Sequence, residues 1–454
     1  MKKQIGIAVT LIVIVSGIFL YLGLKKDHSV VQKEEIVLHY MGWGTELERQ
    51  ATENLIQEFE EQHPGVKVDY THIPNDYDRK LERLIETGKE PDIAMTAGME
   101  AMKMAEAGKL KNVAQLAKED ETYSLDDVLP QTIYWWDEGK ALGVNSALET
   151  TCLVYNKEFA RKAGVEVPMR MEDAWTWEEF VKAAQKLTID IQGRNALDPA
   201  FDPKHIKCYG IKIELQNAYL LSNLYALSGE EFLDQTGKKV NLQGTKALEG
   251  IQRIADLIHV YHVMPDPLTA KTLPAGAKAL ESGVAAMAWG GTWVLMDLAK
   301  TKVDFGLGVL PAMYGKSVTI SMGEPIVIFA SSKHPKEAWE LAKFFMNPEH
   351  SIELIENGLW MPVLKSWYED PELLRCWTVG NRAHPQEYQE TIMEPAFESC
   401  QPHWGYSVKN FGKMMNVFSQ KLNEVWIGEI TAEEAAASSE DEMNALADGE
   451  YPRP

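Results

Sequence analysis

From Ile36 to Gly98 the hydrophobic period of the chain alternates between the two values that define strand and helix. The stretch "IVLHYMGW" (36–43) reads as a strand, and "TELERQATENLIQEFEEQHPG" follows it with Leu47, Ala51, Leu55 and Phe59 recurring every four positions. Thr45 and Glu48 stand at capping-box spacing, so a helix starts there, and Pro64-Gly65 stops it. "VKVDYTHI" is a second strand, "YDRKLERLIETG" a second helix, and "DIAMTAG" (92–98) a third strand that enters another helix. Strands separated by helices pair in parallel and carry the helices on the sheet faces, so the fold class is α/β.

The rhythm breaks at "ALGVNSALETTCLVYNKEF" (141–159), which is β-rich throughout. It resumes with "TWEEFVKAAQKL", opened by a second capping box at Thr176 and Glu179, and with the long amphipathic "GTKALEGIQRIADLIHVY". "VDFGLGVLP" (303–311) and "EPIVIFA" (324–330) read as strands, and "SSKHPKEAWELAKFFMNPE" as a helix opened by Ser332 and Pro335 and closed before Pro348. The last third is helical, with a third capping box at Thr431 and Glu434. No repeat of 20–50 residues is present, and 454 residues suffice for two or three domain-sized units. The expectation is two α/β lobes with helices finishing the chain.

Twenty residues from Ile5 to Leu24 carry no charge, and as a helix they would span the roughly 30 Å of a hydrocarbon core. No small-x-small cleavage site closes the run. The Met1 amine, Lys2 and Lys3 before it outweigh Lys25 and Lys26 less Asp27 after it, which leaves the N-terminus in the cytoplasm and the body outside. An export signal retained as a membrane anchor is the expectation; a cleaved signal and a secreted body is the alternative. With 45 Lys+Arg against 67 Asp+Glu, the net charge of −22 argues against nucleic acid as a partner. Cys152, Cys208, Cys376 and Cys400 form no C-x-x-C pair; an exported chain could oxidise Cys376 to Cys400, but a chain this large needs no such staple.

Catalytic and metal templates fail in turn. "GKS" (315–317) lacks the glycine a phosphate loop needs at 310, where Leu310 stands. His259 and His262 are spaced as H-x-x-H without the glutamate of a metalloprotease, and Asp190, Asp198 and Asp202 do not fit an EF-hand. No G-x-S-x-G elbow is present, and nothing singles out a carboxylate pair for glycoside hydrolysis. No metal or cofactor is expected.

What remains are polar and aromatic residues just beyond strand ends, where an open α/β sheet binds ligands. Trp43, Gly44 and Glu46 follow the first strand, Asp78 opens the second helix, and Thr96 and Glu100 follow the third strand. In "AAMAWGGTWVLMDLAK" (285–300), a strand through Trp289 reaches Gly290 and Gly291, which read as a tight turn, and Thr292 as the cap of a helix through Lys300. That places Trp289 and Trp293 on a common rim; the alternative reading is that both fill the core. Asn145, Glu324 after "SMG" and Trp360 after "NG" complete the set. Carboxylates and amides each accept or donate to two hydroxyls, and indole faces stack on the C–H face of a sugar ring.

Taken in order, "ATENLIQEFEEQHPGVKVDY", "PDIAMTAG", "GKALGVNSALETTCLVYNKEFARKAGVE", "TWEEFVKAAQKLT", "SGVAAMAWGGTWVL", "DFGLGVLP", "SMGEPIVIFASSKHPKEAWELAKFFMNPE" and "NGLWMPV" carry a family likeness. It resembles the extracellular solute-binding proteins of sugar ABC transporters, the family that includes maltose-binding proteins. The resemblance implies two lobes that close like a hinge on a sugar, and a permease that reads the closed form. It places crossings between lobes near Gly143–Thr151, near Leu307–Pro311 and after Gly358. Lobe 1 would then take residues 34–147 and 309–358, and lobe 2 residues 148–308 with C-terminal helices from 359–454, after an anchor and tether at 1–33. It also implies that the loop holding Trp43, the turn after Ala94, the hinge near Asn145, the "WGGTW" turn and "GEP" face the cleft. Gram-positive members usually carry a lipobox cysteine, and here Ile18 stands where it is expected, so a protein anchor replaces lipid.

Carbohydrate uptake without catalysis is the leading reading. A tethered sensor presenting ligand to a receptor is weakened by the short "MKKQ" tail, and a glycoside hydrolase or lyase would show turnover. Relatives also take polyols and glycerol phosphates, but a phosphate wants basic residues, and Arg79 alone lies close to the proposed loops.

Overall fold

The computed structural model describes residues 35–214 and 217–451, so the expected membrane span Ile5–Leu24 lies outside the described residues. Among those described, no helix is long and apolar enough to cross a membrane. The strands run in chain order as β1 (Ile36–Gly42), β2 (Val66–His72), β3 (Ile93–Met95), β4 (Ile133–Asp137), β5 (Lys140–Asn145), β6 (Glu149–Asn156) and β7 (Ile189–Asp190). They continue as β8 (Ile206–Ile213), β9 (Ala285–Gly291), β10 (Phe305–Gly308), β11 (Ile320–Met322), β12 (Pro325–Ile328) and β13 (Gln401–Pro402). They assemble into two sheets, one ordered β2-β1-β3-β12-β5-β4 and the other β13-β11-β6-β9-β8-β7, with β10 also paired to β6. The protein is a bilobed α/β molecule.

The first sheet begins as the alternation dictates: β1 pairs in parallel with β2 and β3. β2 lies on the edge and alternates half-buried with exposed residues, as an edge strand wet on one face should. β12 is buried along its length and runs antiparallel to both β3 and β5. The return strand enters from the other lobe, and this reverses its direction and makes the sheet mixed. All three capping boxes form, each satisfying two backbone N–H groups at its helix start: Thr45 with Glu48, Thr176 with Glu179, and Thr431 with Glu434. The helix expected to open at Ser332 and Pro335 runs from Pro335 to Met346, with His334 in the cap position.

The chain passes between sheets three times. The first passage is Ser146–Leu148, between β5 and β6, inside the expected stretch. The second was expected near Leu307–Pro311, but Phe305–Gly308 pairs with Asn156–Leu153 in the second sheet. The chain stays there until Ser321 and Met322 have paired with Thr150 and Glu149, and crosses only at Gly323–Glu324. The third passage is marked by Leu148 and Met361, which exchange backbone hydrogen bonds of 3.0 and 3.1 Å. Beneath the passages, one core joins Leu38, Phe59 and Ile93 of the first lobe to Val154, Leu307 and Trp377. A second core, around Phe180, Leu224, Trp289 and Phe418, fills the other lobe, where helices Phe411–Trp426 and Ala432–Leu446 pack on each other.

The passages are held close together. Gly323 has φ +147°, and a Cβ there would lie 2.5 Å from both the Ala147 carbonyl oxygen and Asn145 Nδ2. The Gly323 carbonyl accepts from the hydroxyls of Tyr134 (2.7 Å) and Tyr406 (3.1 Å). The Ser146 N–H donates to the Glu324 carbonyl at 3.3 Å.

All four cysteines are free; Cys376 Sγ lies 3.2 Å from the Glu372 carbonyl and Cys400 Sγ 2.9 Å from that of Ala396, so the suggested Cys376–Cys400 bridge is not formed. Asp190 accepts hydrogen bonds from Arg194 Nε and from the backbone N–H groups of Gln192, Arg194 and Asp202. Its carboxylate organises the 190–202 loop, which accounts for the aspartate cluster there.

Candidate functional site

A cleft of about 600 Å³ lies where the passages meet. Trp43, Gly44 and Pro74 line it from the loops after β1 and β2, Ser146 and Ala147 from the first passage, and Glu149 from the start of β6. Trp293, Met296 and Asp297 come from the loop and helix after β9, Gly323 and Glu324 from the second passage, and Leu359 and Trp360 from the third. Thr45, Glu48, Met95, Tyr219 and Met322 complete the wall.

The indoles are fixed from below. Trp43 packs edge-on against Tyr77, with ring centroids 4.7 Å apart at 68°. The Tyr77 hydroxyl lies within hydrogen-bond distance of the Met41 and Met95 carbonyls (3.0 and 2.5 Å), tying it to β1 and β3. Trp293 is 37% exposed and Trp360 9%, so one presents a broad face and the other an edge of the wall. A Cβ on Gly291 would fall 1.9 Å from Trp293 Cζ3, so only glycine lets that ring lie against the strand end.

The glycine pair does not form the expected turn. Gly290 and Gly291 are the last residues of β9, paired with Cys152 and Thr151. Thr292 is not the helix cap either: its hydroxyl accepts from the Thr150 N–H at 3.2 Å, locking β9 to β6, and the helix Val294–Lys300 starts after Trp293. Trp289, expected on the rim with Trp293, is fully buried in the second core.

Five of the expected site residues line the cleft: Trp43, Gly44, Trp293, Glu324 and Trp360. Gly291 supports one of them. Glu46 points away, exposed and paired with Arg49, and Glu48, the capping-box partner two positions on, takes its place at the wall. Thr96 and Asn145 are fully buried without lining the cleft; the Thr96 N–H donates to the Pro325 carbonyl at 3.1 Å, and Asn145 pairs with Pro325 in the sheet. Glu100 forms an ion pair with Lys103 at 2.8 Å, and Asp78 is exposed near the start of its helix, where its charge still reaches Glu324.

The main residues missed are acids. Glu149 is an isolated charge inside the apolar run "ALETTCLV", a signal that the sequence offers. Met296 and Asp297 sit three and four positions after Trp293, on the same helix face. Burial and the charge of Glu48 push the Glu149 carboxyl up to about 8. Burial and the charges of Glu149 and Asp78 hold Glu324 well above the usual carboxylate range, opposed by the Gly98 backbone N–H at a helix start. Burial also raises Glu48, against the hydrogen bonds that it receives from Thr45. The described residues lining the cleft include no Lys, Arg or His, and among the described residues no group of His, Cys, Asp and Glu is arranged to hold a metal ion.

Residues 54–378 match the bacterial extracellular solute-binding protein family. Over 332 residues, 72% of this chain, the sequence is 26% identical to a maltotriose-binding protein of Pyrococcus abyssi. It is also 26% identical over 281 residues to the sn-glycerol-3-phosphate-binding periplasmic protein of Rhizobium meliloti. These matches span 66% and 62% of the relatives' own lengths, under two thirds of each. The fold is similar to that of an ABC substrate-binding protein from Listeria monocytogenes solved in complex with cycloalternan. Its TM-score is 0.76 at 22% identity, over 90% of this chain and 98% of that one. A match that covers most of the chain, together with two lobes meeting at a walled cleft, settles membership: the chain belongs to the bacterial extracellular solute-binding proteins.

Proposed function

We propose that the protein captures a carbohydrate in the interlobe cleft, releases it unchanged, and delivers it to the permease of an ABC transporter at the outer face of the cell membrane, held there by Ile5–Leu24. The observation that carries this reading is the union of three indoles with carboxylates on all sides of one cleft: Trp43, Trp293 and Trp360 around Glu48, Glu149, Asp297 and Glu324. Indoles stack on the C–H faces of sugar rings, while carboxylates accept from their hydroxyls. Residues on all three passages touch the same space, so a ligand bridging the lobes favours the closed form by the contacts that it gains there. The maltotriose-binding and cycloalternan-bound relatives support a saccharide.

The glycerol-3-phosphate-binding relative supports a second reading, that of a phosphorylated polyol. A phosphate entering this cleft would meet carboxylates with no cation among the described lining residues, so the sugar reading is preferred. The test is a thermal-shift screen of the full chain against mono- and oligosaccharides, polyols and glycerol phosphates. A ligand that binds only the folded state raises the midpoint with its concentration. A saccharide hit that is lost in folded Trp293→Ala and Trp360→Ala proteins supports the reading, and a hit confined to glycerol phosphates overturns it.

A further inference from the structure

We propose that the saccharide taken by this cleft carries a protonated amine, and that its ammonium group sits among Glu48, Glu149 and Glu324. The inference rests on the carbohydrate reading above and narrows its ligand to basic sugars.

Four carboxylates line the cleft, and none of them has a Lys, Arg or His ion-pair partner among the described residues. Elsewhere three enclosed acids are neutralised by a cation of the same chain. Asp120 is paired to Lys343 at 2.5 Å, Glu387 to Lys157 at 2.9 Å and Asp190 to Arg194 at 2.7 Å. The cleft gathers four acids without supplying a cation among the described residues. A second, independent observation points the same way: Glu324 Oε2 is shut off from solvent and has no hydrogen-bond partner, while its residue lines the cavity.

A wholly neutral sugar would give these oxygens hydroxyl hydrogen bonds but bring no positive charge to a cleft lined by four acids. An ammonium supplies three donors and a compensating charge at once. Around the acids stand Asp78, the Glu100–Lys103 pair, His72 beside Gly44, and Tyr219. Of the two basic residues, Lys103 is already engaged by Glu100 and His72 Nε2 lies 2.9 Å from the Gly44 carbonyl. At near-neutral pH the Glu149 carboxyl, pushed up to about 8, holds its proton in the empty cleft, so binding exchanges charge: the ammonium enters and that proton leaves to buffer.

The test uses the full-length protein in mild detergent with two matched pairs. One is the β-1,4 glucosamine tetramer against its N-acetylated form; the other is 6-amino-6-deoxy-maltotriose against maltotriose. Calorimetry at about pH 6.5, in two buffers of different ionisation enthalpy, reads both affinity and protons released. The expected result in at least one pair is binding about tenfold tighter for the amine, the worth of one good charge-assisted hydrogen bond. Proton release should accompany the amine only, and both differences should shrink in Glu149→Gln and Glu324→Gln proteins that retain their fold by circular dichroism. Equal or weaker binding of the amines in both pairs, with the neutral sugars bound, overturns the inference and leaves the carbohydrate reading standing. Binding of no member of either pair overturns the inference and counts against the carbohydrate reading as well.

Discussion

Gly291 and Trp293 are two residues apart and mutually exclusive with any larger side chain: a Cβ on Gly291 would stand 1.9 Å from the Trp293 ring. Gly291→Ala is therefore expected to swing the indole off the strand end while β9 keeps its pairing with β6. Ligand affinity, measured by calorimetry, should fall by up to about tenfold, the effect of losing one aromatic stacking contact. Unchanged affinity would show that Trp293 is not a working wall of the cleft.

Trp289 and Trp293 should separate stability from binding. Trp289 is fully buried in the second core, so Trp289→Ala is expected to cost about 3–5 kcal/mol in denaturant unfolding. Trp293 is 37% exposed, and its loss should leave the unfolding midpoint nearly unchanged while weakening ligand binding. The reverse pattern would contradict this placement of the two rings.

Stability should fall on both sides of a middle pH, for opposite reasons. Glu149 keeps its proton in the fold to about pH 8, whereas an unfolded glutamate loses it near about pH 4.3. Across that window the folded state binds more protons, so this carboxyl makes the fold less stable as pH rises. Burial lowers His403 to about 3, so between there and the ordinary histidine range near about 6.5 the unfolded state binds more protons. His403 thus costs stability as pH falls through that range. Urea titrations of the ligand-free protein should show the alkaline decline flattened in Glu149→Gln and the acid decline intact. An unchanged alkaline slope in that variant would place its origin elsewhere.

Gly323→Ala is expected to force apart the first and second passages, because the added methyl would lie 2.5 Å from the Ala147 carbonyl oxygen at a φ of +147°. A lowered thermal midpoint should be joined by a smaller ligand-induced decrease in radius of gyration by small-angle scattering. A full decrease would show that the passages accommodate the methyl without loss of closure.

The parts of the fold legible in the sequence are those written in local chemistry. Thr45, Thr176 and Thr431 announce helix starts because a capping box needs only four residues to declare itself. The second passage was not legible: "VDFGLGVLP" is equally apolar as a strand edge-paired to β6 or as a crossing, and β11, which sets the register, is only three residues long. In the site, Trp43 and Trp360 could be found from their place beyond apolar runs. The roles of Trp289 and Trp293 depended on where β9 ends, and both glycines fit a strand as well as a turn. Glu48 was visible as a cap but not as a wall, since one carboxylate serves both purposes from the same position.

β12 is inserted between β3 and β5, strands made long before it, and the whole second lobe's central sheet except β13 is synthesised in the interval. The first sheet therefore has no continuous centre until the nascent chain has passed Ile328. Its early strands wait with unpaired edges, and such non-local pairing is slow to form. A polypeptide built this way cannot close its first sheet until β12 has been made, so neither lobe is complete before most of the other exists.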